Sequence, residues 1–223
     1  MSRSIPTEDR ISSLQDPILC HILSFLPTKF AATTTVLSKR WNLLWRSVPT
    51  LYFDDEAFKD GLSFYKFMSS VFLLRDIMLP LRSFHLKCSD QYNFNHHDIS
   101  QFVQAAIQRV GMENLNLIFN LERGIWYNVK LTPRIFSCKT LVVLHLTGVK
   151  VNDLSHLIVD LPRLKTLHLT RVLFKRVEYL PKLLSRCPIL EELHINYLFP
   201  AAPARLVLEE NIEWAKVLCV QQP

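Results

Sequence analysis

Four histidines occupy the same position in successive copies of a short pattern. His85, His145, His168 and His194 each lie between two apolar residues, and Asn116 takes this place in the remaining copy. Imidazole side chains bind metal ions, exchange protons near neutral pH and form hydrogen bonds with partners. Three interpretations stay open at this point: a polar residue that suits an exposed strand, a contact with a partner, and a metal site.

The pattern around these positions is apolar-x-x-apolar-x-apolar, and it occurs five times. The copies begin at Leu81, Met112, Leu141, Leu164 and Leu190, and their central residues are 31, 29, 23 and 26 positions apart. This spacing is close to the period of about 20 to 29 residues of leucine-rich repeats. Two inward apolar residues around one outward residue are typical of a β-strand, and such strands bury their apolar side only by stacking.

Stacking of five strands predicts a parallel sheet whose open face carries the histidine positions. Because neighbouring strands lie about 4.8 Å apart, these side chains are expected to form a column. We predict that this face binds a target and holds no metal ion. The residues that we assign to it are His85, Asn116, His145, His168, His194, Thr166, Thr170 and Glu192.

Helices are predicted between some of the strands. Asp98 and Gln101 resemble a capping box, a stripe of apolar residues follows them, and Gly111 closes the helix. A shorter helix is expected over residues 177–186. The predicted fold class is therefore α+β or an α/β solenoid: a small helical unit followed by a short repeat array with a parallel sheet on its concave face.

A helical unit of about 45 residues precedes the repeats. Asp16 is a candidate helix cap, Pro17 suits the first helical turn, and Pro27 ends this helix. In the following segment, VLSKRWNLLW, the stripe formed with Trp41 and Trp45 predicts that both indoles are packed.

Apolar residues of this unit cover more of the helix surfaces than one small core needs. A unit this short buries little surface alone, and no disulfide or metal is available to staple it. We therefore predict that a partner protein docks on it. The residues assigned to this surface are Leu14, Ile18, Ile22, Leu23, Pro27, Val36, Leu37, Lys39, Arg40 and Leu43.

Composition argues against several classes of function. The five cysteines lack C-x-x-C spacing, which argues against a disulfide framework and a zinc knuckle, and we interpret them as reduced, mostly buried thiols. No signal sequence is recognisable and no apolar run approaches about 18 residues, which predicts no membrane contact and a cytoplasmic or nuclear location.

Catalysis is not indicated. Four glycines leave no phosphate-binding loop, and neither G-x-S-x-G nor H-E-x-x-H occurs. A loop before the helix cap explains His96-His97-Asp98, so we predict no cofactor and no catalytic residue. The net charge of +6 is concentrated in residues 111–200, with 12 Lys or Arg against 7 acidic residues. These charges are scattered rather than interleaved with aromatic residues, which disfavours nucleic acid as a partner.

Residues 9–53 resemble an F-box, and the chain as a whole is similar to the plant F-box proteins with leucine-rich repeats, many of which also end in an FBD domain. The resemblance covers about residues 5–196. The segments that carry it are DRISSLQDPILCHILSFLPTK, VLSKRW, VPTLYFDD, LLRD, LRSFHLKC, LKTLHL and LEELHI.

The resemblance implies a domain order of F-box (5–53), helical connector (54–80), about five irregular repeats (81–198) and a divergent C-terminal tail (199–223). Two departures from the family pattern stand out. Gln15-Asp16-Pro17 places the proline two positions later than usual in the first helix, which is still expected to form. No FBD domain is recognisable after the last repeat, so we expect a truncated or divergent end.

The resemblance also implies a function. The F-box would bind a Skp-type adaptor and through it a cullin-RING ubiquitin ligase, while the repeats hold an unidentified protein target. The chain would then be the non-catalytic substrate-recognition subunit of an SCF-type E3 ligase. Two alternatives stay open: a truncated or adaptor-deficient binding protein without ligase function, and a nucleic-acid-binding protein that uses the basic repeat half.

Overall fold

The computed structural model describes residues 10–89, 96–120, 130–151, 153–156, 158–176 and 178–200. Three short helices come first, α1 (Asp16–Ser24), α2 (Thr28–Thr33) and α3 (Lys39–Ser47). Pro17 lies in the first turn of α1, where its missing N–H costs no helical hydrogen bond. The expected first helix is therefore confirmed.

In the described part of the chain, eight strands form one open sheet. They are β1 (Thr50–Asp54), β2 (Ser83–Ser89), β3 (Asn114–Asn120), β4 (Lys130–Leu131), β5 (Val143–Thr147), β6 (Lys150–Val151), β7 (Thr166–Phe174) and β8 (Glu192–Pro200). Their order is β1-β2-β3-β5-β7-β6-β4, β8 also pairs with β7, and every pairing is parallel.

On the side away from β8, strand β7 takes part in two ladders, with Arg171 between them. Its first half pairs with β5, and Leu173 and Phe174 pair with β6. Arg171 has a φ of 51°, which is uncommon for a residue with a side chain. The change of backbone direction at Arg171 lets β7 pair first with β5 and then with β6.

The five predicted strands are confirmed as β2, β3, β5, β7 and β8. The inward pairs of the inner copies, such as Leu115 with Leu117 and Leu144 with Leu146, are fully buried. Strand β1 was missed, and it crosses the expected boundary between residues 53 and 54. Its alternating residues join the same core, with Leu51 and Phe53 both buried.

Three further helices connect strands: α4 (Gly61–Leu74), α5 (His96–Ile107) and α6 (Tyr179–Leu184). Gly61 begins α4, and the Asp60 carboxylate caps this helix by accepting a hydrogen bond from Ser63 N at 2.6 Å. Residues 96 and 97 lie inside α5, so the expected loop before Asp98 is wrong. Gly111, with a φ of +83°, lies in the turn after α5.

The helical unit and the sheet share one hydrophobic core. Trp41 and Trp45 are 6% and 5% exposed, which confirms that both are packed. Between the two parts, Thr28 Oγ1 of α2 accepts a hydrogen bond from Tyr52 N of β1 at 2.8 Å. Lys29 donates to the Ala57 carbonyl beyond β1. These two hydrogen bonds hold α2 against β1 and the segment that follows it.

A buried arginine also holds together the joint between the helical unit and the sheet. Arg75, directly after α4, donates to the carbonyls of Arg46 at 2.8 Å, of Val48, and of Pro80 at 2.8 Å. Burial lowers the pKa of Arg75 to about 10. Its guanidinium ties the end of α3 to the segment that leads into β2.

Candidate functional site

The first candidate surface lies on α1, α2 and α3. On α1, Leu19 and Leu23 face the core, while Ile18 and Ile22, one position earlier in each turn, face outward. We call this surface the docking helices; its exposed apolar residues are Ile18, Ile22, Phe25, Leu26, Phe30, Val36, Leu37 and Leu43. Exposed apolar residues gathered on one small unit mark an interaction site.

Five of the ten predicted docking residues belong to this exposed set. Val36 is the most exposed of them, at 85%. Lys39 is exposed as well, at the start of α3, whereas Leu14 and Pro27 are half-buried. The assignment of Leu23 is wrong, because its side chain is 1% exposed and forms part of the core.

Arg40 was assigned to partner contact, but its guanidinium binds within the chain. It donates to Asp16 Oδ1 at 2.7 Å, to the Ser12 carbonyl at 2.7 Å and to the Leu14 carbonyl at 2.6 Å. Asp16 therefore pairs with Arg40 instead of capping α1, whose cap residue is Gln15. We interpret Arg40 as the residue that holds the segment before α1 against α3.

The second candidate surface is the open face of the sheet. The strand register places one column of residues across it, which confirms the predicted alignment: Tyr52, His85, Asn116, His145, His168 and His194. We call these six residues the central column. Tyr52 was missed because β1 was missed, although the period-two alternation of TLYFD was the available signal.

Ring contacts occur on both sides of Asn116 in the central column. His145 and His168 stack with centroids 4.2 Å apart and planes 2° apart. His168 and His194 are 5.4 Å apart at 59°, and Tyr52 and His85 are 5.7 Å apart at 33°. His168 Nε2 also lies 2.8 Å from Glu192 Oε1. The column is thus an ordered row of flat side chains.

Two of these imidazoles favour the neutral form. Burial lowers the pKa of His85. Burial also lowers the pKa of His145, with His168 adding to the effect and Glu192 opposing it. Beside each other, Asn116 Oδ1 and His145 Nε2 are buried without a hydrogen-bond partner among the described residues. Most buried polar atoms in native proteins have a hydrogen-bond partner. The two atoms that lack one here lie at the middle of the column and can form further hydrogen bonds.

Charged residues flank the column rather than filling it. At the β1 side, Lys87 Nζ lies 3.2 Å from Asp54 Oδ2 and 2.6 Å from Glu56 Oε2, and these hydrogen bonds raise the pKa of Lys87. At the β8 side, Glu192 pairs with His168. Thr166 and Thr170, also assigned to this face, are half-buried beside the column. The central column itself therefore contains no Lys, Arg, Asp or Glu side chain.

The described residues contain no group of three or more His, Cys, Asp or Glu side chains placed to hold a metal ion. Among the same residues, Cys20, Cys88, Cys138 and Cys187 are free thiols. Burial raises the pKa of Cys88, and that of Cys187 to about 11. These two thiols are therefore protonated at neutral pH, which is unsuitable for a nucleophile. No helix in the described part of the chain is both long and apolar enough to cross a bilayer.

Comparison with protein families gives two matches. Residues 11–52 match the F-box domain. Residues 103–210 match a family described as FBD-associated F-box protein At5g56370, LRR repeats. The first range contains all three docking helices, and the second contains β3 to β8.

Curated relatives from Arabidopsis thaliana match most of the chain. A putative F-box/LRR-repeat protein, At5g41840, is 40% identical over 83% of this chain and 36% of its own length. The FBD-associated F-box protein At4g10400 is 38% identical over 84% of this chain and 45% of its own length. The FBD-associated F-box protein At5g56370 is 41% identical over 82% of this chain and 42% of its own length. The chain thus spans about two fifths of the length of these relatives. No solved structure gives a significant match.

Proposed function

The chain belongs to the F-box proteins with leucine-rich repeats, and on that premise we propose that it is a substrate-recognition subunit of an SCF-type E3 ubiquitin ligase. F-box domains generally bind Skp-type adaptors, and F-box proteins with leucine-rich repeats are generally non-catalytic recognition subunits. In this chain, the docking helices would bind the adaptor, and the central column would contact a protein target.

The observation that carries the proposal is the exposed apolar surface of the docking helices. A folded unit rarely leaves several large apolar side chains in water, because burying each one contributes about 1.5 to 3 kcal/mol. Here the inward residues, such as Leu19 and Trp41, already fill the core, so the outward residues have no further role in folding. Covering by an adaptor accounts for them.

The mechanism is proximity. A receptor that binds the adaptor on one surface and a target on another raises the local concentration of target lysines near the ubiquitin-charged enzyme. No chemistry of the chain's own residues is required, and no cofactor enters. The place of such a complex is the cytoplasm or the nucleus.

The test is adaptor binding by the whole chain. Wild-type protein should bind a Skp-type adaptor in a titration. The double variant Val36→Ser/Leu37→Ser should lose at least about tenfold in affinity, since these two apolar side chains are 85% and 62% exposed. Leu62→Ser is the matched control, because Leu62 is also exposed but lies on α4. It should bind as the wild type does.

Two outcomes would contradict the proposal. If a folded wild-type chain ignores the adaptor, the chain is an adaptor-deficient binding protein instead. If the Val36/Leu37 variant binds normally, the docking helices are not the adaptor surface. Circular dichroism and thermal unfolding of each variant establish that a loss of binding is not a loss of structure.

A further inference from the structure

A second exposed apolar surface lies outside the F-box match. Its residues are Leu73 and Leu74 at the end of α4, Ile77 and Met78 in the following segment, and Val110 in the turn after α5. These side chains are between 47% and 85% exposed. We call these five residues the end patch. Nothing in the repeat core requires them, since their inward neighbours, Val71 and Leu81, are already buried.

The end patch is fixed directly to the end of the docking helices. Arg75 binds the carbonyls of Arg46 and Val48 at the end of α3. The backbone N–H of Arg82 donates to the Pro49 carbonyl at 2.8 Å. The segment 75–82 is thereby held against the last turn of α3.

The turn that carries Val110 is attached in the same way. Leu81 N donates to the Val110 carbonyl at 3.0 Å, and the Arg109 guanidinium donates to the Asp76 carbonyl. Leu43 of the docking helices lies one turn before the Arg46 and Ser47 end of α3. These hydrogen bonds place the segment that carries Ile77 and Met78, and the turn that carries Val110, next to the end of α3.

We propose that the adaptor bound to the docking helices also covers the end patch, so that its footprint extends beyond residues 11–52 onto the first repeats. The proposal rests on the proposed function. Continuity with the docking helices is one argument, because a partner seated over Leu43 and the end of α3 borders directly on the segment that carries Ile77 and Met78.

Charge is the second argument, and it selects a different protein over a second copy of this chain. Residues 10–47 contain five Lys or Arg and one acidic residue, Asp16. Leaving out Arg75, which is buried, the segments 73–82 and 109–110 contain two arginines, Arg82 and Arg109, and one acidic residue, Asp76. Two copies of such a surface would repel, whereas a partner with apolar residues bordered by carboxylates is complementary to both parts.

The experiment compares adaptor affinities of three variants of the whole chain. Ile77→Ser/Met78→Ser replaces two exposed apolar residues of the end patch, and Val36→Ser/Leu37→Ser replaces two of the docking helices. Leu62→Ser/Ile158→Ser replaces two exposed apolar residues that belong to neither surface. We expect the end-patch variant to bind the Skp-type adaptor about tenfold more weakly than wild type. The Leu62/Ile158 control should bind as wild type does, and all three should keep the wild-type melting temperature.

Each other result separates the two proposals. Wild-type affinity in the end-patch variant together with a loss in the Val36/Leu37 variant would overturn the extended footprint and keep the proposed function. Normal binding by both variants would overturn both. Sedimentation of the free chain gives a further criterion: concentration-dependent dimers that the Ile77/Met78 variant abolishes would assign the end patch to a second copy, and so overturn the proposal.

Discussion

The docking helices and the open face of the sheet use their outward residues in opposite ways. On the docking helices, residues such as Ile22, Val36 and Leu37 expose apolar side chains to water. On the sheet, the central column carries four imidazoles, one amide and one phenol, and the ion pairs of Lys87 and Glu192 lie at its sides. Both surfaces rest on the same buried core.

Under the proposed function, this difference would bear on how each surface selects a partner. The hydrophobic effect is not directional and depends on the apolar area that is buried. The docking helices would therefore suit a single partner whose shape is complementary to them. A neutral polar face gains little from burial alone and binds well only where hydrogen bonds are matched, because unmatched polar groups are costly. The central column is therefore suited to discriminating among targets.

The largest expected effect lies inside the docking helices. Trp41→Ala should lower the free energy of unfolding by about 3 to 5 kcal/mol, because a buried indole leaves a cavity. Val36→Ala, at the exposed side of the same unit, should change it by no more than about 0.5 kcal/mol. Denaturant unfolding measures both. Equal effects of the two substitutions would show that the inward and outward assignments are wrong.

A smaller effect is expected at the joint between the two regions. Arg75→Met keeps the buried stem but removes three hydrogen bonds to carbonyls, which should lower the free energy of unfolding by about 2 to 4 kcal/mol. The control is Arg82→Met, because the side chain of Arg82 is exposed. If both variants unfold like the wild type, Arg75 does not hold the joint.

The smallest expected effect is a pH dependence on the sheet face. Because the pKa values of His85 and His145 are lowered in the folded state, the unfolded chain takes up protons first as the pH falls below about 6.5. Stability should therefore be full well above that pH and should decrease as the pH falls from 7 to 5. His85→Asn/His145→Asn should reduce this slope, whereas Thr170→Ser should not. Unfolding curves at several pH values measure the slope, and an identical slope in the histidine variant would contradict the expectation.

The sheet could be predicted from the sequence because period-two alternation is a backbone property. Leu144 and Leu146 face inward and His145 faces outward wherever the strand lies, so equal spacing in each copy fixed the alignment of the column. Strand β1 was missed because TLYFD follows the helical unit directly and lies outside the repeated pattern. Its alternation alone was too short to separate it from the preceding helices.

The joint could not be predicted because its hydrogen bonds join distant parts of the chain through the backbone. Two of the three acceptors of Arg75 lie 29 and 27 residues away, and they are carbonyls, which every residue carries. Similarly, Asp16 has the type and position of a helix cap, and only the folded arrangement brings Arg40 close enough to compete for it. The burial of Leu23 depends on how α1 packs, which a wide apolar arc leaves undecided.

The hydrogen bond between Thr28 of α2 and the backbone of Tyr52 has a consequence for protein engineering. An F-box is an attractive cassette for grafting onto other binding domains, and the family match would suggest cutting after residue 52. In this chain such a cut would divide β1 and separate it from β2. A chimaera built from this F-box should therefore carry the chain through β2 and keep Arg75, so that the grafted helices retain the strand that they were folded against.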